Sequence, residues 1–130
     1  MSKSKGTRAE RELFHLFWQN GFNSLRTAGS GSTSMPAPDL IAAKDGRILV
    51  IECKSGAGNN RYIKKEQIEE LIAFAKTFDG EPWIAARFDR IGWFFVKAEN
   101  LEQTKGENFV VNLETAKTSG FKFEDLIKSQ

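Results

Sequence analysis

The sequence has few of the residues that form covalent or metal cross-links, and it has no long apolar segment. Its 130 residues include one cysteine and one histidine, which excludes an internal disulfide and a tetrahedral zinc site built from these ligands. No apolar run approaches the ~20 residues that cross a bilayer. The Lys/Ser/Gly-rich start lacks the apolar region of a secretory signal. We therefore expect a small soluble, cytoplasmic protein with no membrane partner.

The composition is that of a folded protein, and its charge is unevenly distributed. Hydrophobic residues make up 40% and charged residues 28%, which predicts a single domain over residues 1–130 with a flexible basic arm at 1–7. Residues 1–65 contain 11 Lys/Arg and 5 Asp/Glu, whereas residues 66–130 contain 8 and 12. A basic half favours a polyanionic partner such as nucleic acid. Chance asymmetry on a solvated surface explains the charge alone equally well.

Hydrophobic periodicity and turn residues predict a mixed α/β order. The predicted helices are 8–20, 64–78 and 123–128. The predicted strands are 22–27, 39–44, 47–54, 83–88 and 92–97, with an edge strand at 109–113. Segments 28–38 and 55–61 are rich in Gly and polar residues and are predicted to be loops, the second one mobile. This order favours a mixed β-sheet flanked by helices.

The turn at Asp45-Gly46 determines which residues of the predicted hairpin face each other. A two-residue turn pairs Lys44 with Arg47, and the same register places Asp39 opposite Glu52. Opposed residues on one face have Cβ atoms roughly 4.5–5.5 Å apart. Two carboxylates at that distance repel unless a cation neutralises them, and Mg²⁺ prefers oxygen ligands. A one-residue bulge would change this register.

Two further charged residues extend the acidic pair. Side chains alternate along a strand, so Lys54 shares a face with Glu52. Glu10 lies on the apolar stripe of the first helix, three and seven residues before Leu13 and Phe17. Alone, each feature is typical of a surface ion pair, a turn or the edge of a stripe. Their combination favours a metal site.

These residues carry a resemblance. Pro38-Asp39, followed by Glu52-Cys53-Lys54 at the end of the next strand, resembles the motif of PD-(D/E)xK nucleases. Segments 6–13, 26–30, 38–42 and 51–54 together resemble the archaeal Holliday-junction resolvases. The resemblance covers residues 5–97. It implies a restriction-endonuclease-like mixed sheet flanked by helices, in a protein of the archaeal cytoplasm associated with the nucleoid.

The resemblance also implies roles for individual residues. It makes Glu10, Asp39 and Glu52 ligands of Mg²⁺, for which Mn²⁺ can substitute, and the backbone carbonyl of Cys53 completes the site. Lys54 stabilises the transition state or positions the attacking water, and Ser30 assists catalysis. Gln67 is a weaker candidate for a supporting role near the metal. The residues expected along the DNA path are Lys5, Arg8, Arg11, Arg26, Ser32, Arg61, Lys64 and Lys65.

The predicted helix 64–78 is a candidate dimer interface. Its apolar arc is wider than one face of a small domain requires, and the resemblance places Leu71, Phe74 and Phe78 between two copies. A deeply buried helix in a monomer explains the same pattern. A two-fold homodimer would supply two active sites at a fixed separation.

The resulting prediction is a Mg²⁺-dependent endonuclease that resolves four-way DNA junctions during homologous recombination by paired symmetric nicks. The resemblance implies 5′-phosphate and 3′-hydroxyl ends. The alternatives are another PD-(D/E)xK repair or restriction-type nuclease and a non-catalytic junction-binding protein. The sequence identifies no segment that binds a sliding clamp or another recombination protein.

Overall fold

The computed structural model describes residues 3–27 and 35–129, with side chains from residue 6 onward. These described residues form four helices and eight strands, with one 3₁₀ turn at Ala98–Asn100. Within the described part of the chain, no helix is both long and apolar enough to cross a membrane. The helices are α1 (Lys3–Gln19), α2 (Lys65–Thr77), α3 (Leu113–Ser119) and α4 (Phe123–Lys128). The strands are β1 (Asn23–Arg26), β2 (Leu40–Lys44), β3 (Arg47–Gly56), β4 (Asn60–Ile63), β5 (Glu81–Phe88), β6 (Gly92–Lys97), β7 (Glu102–Gln103) and β8 (Phe109–Asn112).

A five-stranded mixed sheet forms the centre of the fold, in the order β1-β2-β3-β5-β6. Strands β3 and β5 run parallel, while the other neighbours pair antiparallel. Because side chains alternate along a strand, Val50 packs on the α2 side of the sheet, and Leu49 and Ile51 pack on the α1 side. The predicted mixed sheet flanked by helices is confirmed.

The β2–β3 hairpin follows the predicted register over its whole ladder. Asp45 and Gly46 both have positive φ, at 51° and 84°, as a tight two-residue turn requires. Lys44 pairs with Arg47, and the ladder continues to Leu40 opposite Ile51. The predicted pairing of Asp39 with Glu52 is wrong as a ladder pair. The Asp39 N–H donates to the Ile51 carbonyl at 3.0 Å, so Asp39 lies just outside the ladder.

A second sheet contains three strands in the order β4-β8-β7. The segment predicted as an edge strand at 109–113 is therefore a central strand, because β4 and β7 pair on its two sides. Strand β4 begins at Asn60, inside the segment 55–61 that was predicted to be a loop, and ends at Ile63. Helix α3 begins at Leu113, where the Asn112 side chain accepts hydrogen bonds from the N–H groups of Glu114 and Thr115.

The N-terminal segment differs from the prediction as well. Helix α1 begins at Lys3, five residues before the predicted start at residue 8. The buried side chains of Leu13 and Phe17 fix this helix against the sheet. At the other end of the chain, α4 covers the same side through Phe123 and Leu126.

Candidate active site

Two carboxyl groups meet where β2 begins and β3 approaches its end. Asp39 directly precedes β2, and its Oδ2 accepts a hydrogen bond from the Cys53 N–H of β3 at 2.8 Å. The Asp39 and Glu52 side chains line the same cleft, close enough for the charge of Asp39 to act on Glu52. The Glu52 side chain is 15% exposed. The fold therefore brings the two predicted acids together, although Asp39 is not part of the β2–β3 ladder.

Burial and mutual repulsion make this pair electrostatically unfavourable. Burial raises the pKa of Asp39, although the Cys53 N–H and the Lys54 ammonium act in the opposite direction. Burial, reinforced by the charge of Asp39, raises the pKa of Glu52 to about 8. A proton on Glu52 shared with Asp39 reduces the repulsion between the two groups. A bound cation would relieve the same repulsion.

Lys54 lies beside the acids on the same face of β3, as predicted. Its Nζ is 3.9 Å from Glu52 Oε2 and donates a hydrogen bond to Gln67 Oε1 at 3.3 Å. Gln67 belongs to the first turn of α2, so this helix contributes to the site. The supporting role expected for Gln67 near a metal stays a prediction.

Glu10 lies close to the pair but has a different partner. Burial and the charge of Asp39 raise the pKa of Glu10, whereas Arg26 lowers it. Arg26 Nη2 donates to Glu10 Oε1 at 3.4 Å. Within residues 3–27 and 35–129, no three His, Cys, Asp or Glu side chains converge as a metal site. Glu10 stays a predicted ligand, although one of its carboxylate oxygens is paired with Arg26.

A cleft of about 320 Å³ opens onto the acid pair. The segment 35–38 lines one part of it, and α2 lines another with Gln67, Glu70, Leu71 and Phe74. Glu70 was missed from the sequence. The signal that could have found it is its position three residues after Gln67, which places both side chains on one helix face.

The donor set at the acid pair fits a hard divalent cation. Two carboxylates and a backbone carbonyl are oxygen ligands of the kind that Mg²⁺ binds together with retained waters. Burial and nearby acids raise the pKa of the Cys53 thiol well above its ordinary value. The neutral thiol is a poor ligand for Mg²⁺, so the contribution of Cys53 would come from its carbonyl.

Most of the basic residues predicted for DNA are placed at the surface. Arg8, Arg11, Lys64 and Lys65 are exposed, and Arg26 is half-buried. The buried Arg26 Nε has no hydrogen-bond partner among the described residues. Ser30, Ser32 and the side chain of Lys5 lie outside the described residues.

Arg61 was also predicted to lie on the DNA path, but it is not a surface cation. It is 5% exposed, and its guanidinium donates to the backbone carbonyls of Ala57, Asn60 and Arg87 at 2.8–3.0 Å. A further bond goes to the Gly56 carbonyl, and the guanidinium lies 4.4 Å from the centre of the Phe88 ring. Its donors are used to close the β3–β4 connection, so they are not available to a phosphate group.

The three residues predicted for a dimer interface differ in exposure. Leu71 is 4% exposed and belongs to the core beneath α2, so it does not offer a surface to a second copy. Phe74 packs partly against that core. Phe78 is 45% exposed, and its ring stacks on Phe74 with centroids 4.9 Å apart.

Comparison with known proteins identifies the family. The family profile described as archaeal Holliday junction resolvase (Hjc) matches residues 1–130. The chain belongs to this family. A relative named crossover junction endodeoxyribonuclease Hjc from Archaeoglobus fulgidus is 35% identical over 130 residues, with 95% of each chain covered. An Hjc of the same name from Sulfolobus acidocaldarius is 39% identical over 129 residues, covering 98% of this chain and 89% of the relative.

Solved structures agree with this assignment to the Hjc family. The crystal structure of Archaeoglobus fulgidus Hjc superposes with a TM-score of 0.85 at 32% identity, covering 93% of this chain and 98% of the other. A bacterial homing endonuclease superposes with a TM-score of 0.52 at 15% identity, covering 86% and 75%. The second likeness concerns the fold alone. The resemblance predicted from the motif segments is confirmed.

Proposed function

We propose that this member of the Hjc family is a structure-selective endonuclease that cuts four-way DNA junctions by paired symmetric nicks. The observation that carries the proposal is the buried Asp39–Glu52 pair with the Lys54 ammonium 3.9 Å from Glu52. A protein that only bound DNA would gain nothing from buried acids facing a polyanion. Relatives at 35–39% identity are named crossover junction endodeoxyribonucleases, which supports the same substrate class.

Asp39, Glu52 and the Cys53 carbonyl are the groups that would hold Mg²⁺. When bound there, the cation would neutralise charge on the phosphate and make a water more acidic, while Mn²⁺ could replace it. Lys54 places a permanent positive charge beside the reacting phosphate, where it stabilises the negative charge that develops during hydrolysis. The expected products carry 5′-phosphate and 3′-hydroxyl ends.

Arg26 is suited to hold the DNA backbone beside these groups. Its Nη2 is engaged by Glu10 at 3.4 Å, while its buried Nε lacks an acceptor among the described residues. A buried donor without a partner is costly. Because Nε is buried, a phosphate oxygen could satisfy it only if the Arg26 side chain shifts when DNA binds, while the Glu10 carboxylate would keep the guanidinium oriented.

The exposed cations Arg8, Arg11, Lys64 and Lys65 extend this contact to neighbouring phosphates. Such contacts read charge and shape rather than base identity. Junction affinity should therefore fall steeply as salt concentration rises, with a slope set by the number of phosphates neutralised. Fluorescence anisotropy with a labelled junction at several salt concentrations measures that slope.

We also propose that two copies associate through the end of α2. The stacked Phe74 and Phe78 rings leave apolar surface exposed there. The double variant Phe74→Asp plus Phe78→Asp should be a folded monomer that no longer makes paired nicks. Light scattering and circular dichroism test association and folding separately, and a dimeric double variant would contradict this interface.

A nicking assay tests the catalytic proposal. A labelled four-way junction and a linear duplex of the same sequence are incubated with Mg²⁺ or with EDTA. We expect paired symmetric nicks in the junction, no cutting of the duplex and no cutting in EDTA. Asp39→Asn should slow nicking about 10²–10³-fold while leaving junction affinity nearly unchanged.

The same assay separates the alternatives. Efficient duplex cutting would favour a repair or restriction-type nuclease of this fold. A shifted junction band without any nick would indicate a protein that only binds junctions. Unimpaired nicking by Asp39→Asn would remove the assigned active site.

A further inference from the structure

We propose that Gln67 is a positioning residue that holds the Lys54 ammonium against the acid pair, an inference that rests on the proposed function. Gln67 belongs to the first turn of α2 and lines the same cleft as Asp39 and Glu52. Its Oε1 accepts a hydrogen bond from Lys54 Nζ at 3.3 Å. The same oxygen accepts one from the Lys64 backbone N–H, also at 3.3 Å.

The Glu52 contact alone does not fix the direction of the ammonium group. The 3.9 Å separation between Lys54 Nζ and Glu52 Oε2 is too long for a hydrogen bond, whereas the 3.3 Å contact to Gln67 is recorded as one. The Lys54 side chain is also 24% exposed, and its flexible four-carbon stem gives it many rotamers. The shorter contact to Gln67 is the one that restricts where the charge lies.

Gln67 can restrict Lys54 because its own amide group is held. One partner of Oε1 is a backbone N–H, which cannot move without moving the start of α2. The helix itself is anchored by Ile68, Leu71 and Ala75, which are buried against the sheet.

The experiment compares Gln67→Met with Gln67→Glu. Methionine has a similar length and helix propensity but lacks the strong acceptor, whereas glutamate keeps an acceptor oxygen. We expect Gln67→Met to lower the single-turnover nicking rate about 10–100-fold, as small misplacements of a catalytic group do. Junction affinity should change less than about twofold. On a logarithmic scale of nicking rate, Gln67→Glu should lose no more than half as much as Gln67→Met.

Two further measurements separate positioning from a purely structural role. Glu66→Met weakens the same helix start by removing an acid from its first turn, and it should match wild-type nicking. ¹⁵N relaxation of the Lys54 ammonium, recorded without DNA or metal, should show an ordered group in the wild type and in Gln67→Glu. The group should be more mobile in Gln67→Met.

The outcomes distinguish this inference from the proposed function. If the wild type nicks junctions and Gln67→Met does so equally fast, Gln67 does not position Lys54. A loss of nicking matched by Glu66→Met, or one with unchanged Lys54 relaxation, would overturn the inference as well. If the wild type cuts no junction, the proposed function fails, and the relaxation measurement alone still decides whether Gln67 orders Lys54.

Discussion

The two halves of β3 carry buried charge in opposite ways. In the first half, Arg47 donates to both carboxylate oxygens of Glu81 on β5, at 2.7 and 3.0 Å, and Trp83 Nε1 adds a third donor at 3.1 Å. Burial alone would raise the pKa of Glu81, but these donors lower it. In the second half, Glu52 faces Asp39, and burial with this repulsion raises the pKa of Glu52 to about 8.

The difference shows how one strand can serve two purposes. Desolvation acts on both glutamates, so the neighbours decide the direction of each pKa shift. The Arg47 half uses its charges to hold the chain terminus, because Arg47 also donates to the Leu126 carbonyl and to Ser129 Oγ, at 2.7 and 3.0 Å. The Glu52 half keeps an unfavourable arrangement that a proton or a bound cation would relieve. Strain of this kind is typical of functional sites.

Among the substitutions that test this difference between the two halves of β3, Glu52→Gln has the largest expected effect. We expect nicking to fall about 10²–10³-fold. In EDTA the same variant should gain about 0.5–2 kcal/mol in the free energy of unfolding at pH 8, because it removes a charge repelled by Asp39. Urea denaturation followed by circular dichroism measures this gain. A variant that is both inactive and less stable would show that Glu52 supports the fold.

Arg61 is a second cation with a structural role, and it lies next to the half of β3 that contains Glu52. Replacing it by alanine leaves the carbonyls of Gly56, Ala57 and Arg87 without their donor. We expect Arg61→Ala to lower the free energy of unfolding by about 2–4 kcal/mol. Arg61→Lys should recover little, since an ammonium cannot bridge the same carbonyls.

Junction affinity measured at a temperature where the Arg61 variants remain folded separates the two roles of this residue. Affinity should match the wild type, as should that of the exposed control Lys105→Ala. A lower salt dependence for a folded Arg61 variant would instead place this residue on the DNA.

The smallest expected effect lies in the Arg47 half and depends on pH. A carboxylate whose folded-state pKa is lowered stabilises the fold above its ordinary pKa, and that stabilisation is lost as pH falls through the folded value. Glu81→Gln should therefore cost about 1–2 kcal/mol at pH 7, a modest amount because the Glu81 side chain is a third exposed. Between pH 7 and 3.5 the variant should lose less stability than the wild type does.

Nicking by Glu81→Gln at pH 7 should equal that of the wild type. The exposed control Glu114→Gln should change neither stability nor nicking. Identical pH profiles for wild type and Glu81→Gln would show that this ion pair does not contribute to acid stability.

The central part of the fold and the acid pair could be predicted because their signals are local. Asp45-Gly46 fixes the hairpin turn, and the alternation along β3 places Glu52 and Lys54 on one face. The position of Asp39 was predicted less accurately, since its N–H bonds to the Ile51 carbonyl outside the ladder. That bond depends on the approach of the preceding segment, which periodicity does not encode.

Other features depend on contacts between distant residues. Glu10 is paired with Arg26, 16 residues away, and nothing in the spacing of the two residues predicts this contact. Arg61 looks like a surface cation in sequence, because the carbonyls that bury it include one on β5. Strand β4 is four residues long, too short for a clear periodic signal, and it is stabilised by pairing with β8.

The hydrogen bonds from Arg61 to the backbone carbonyls around it have a practical consequence. Arg61 holds the main chain just after Lys54, so the backbone conformation there does not depend on the catalytic side chains. A protein disabled at Glu52 should then still recognise its substrate and remain bound to it. Immobilised on a resin, such a protein would be a reagent for recovering branched DNA intact from cell extracts.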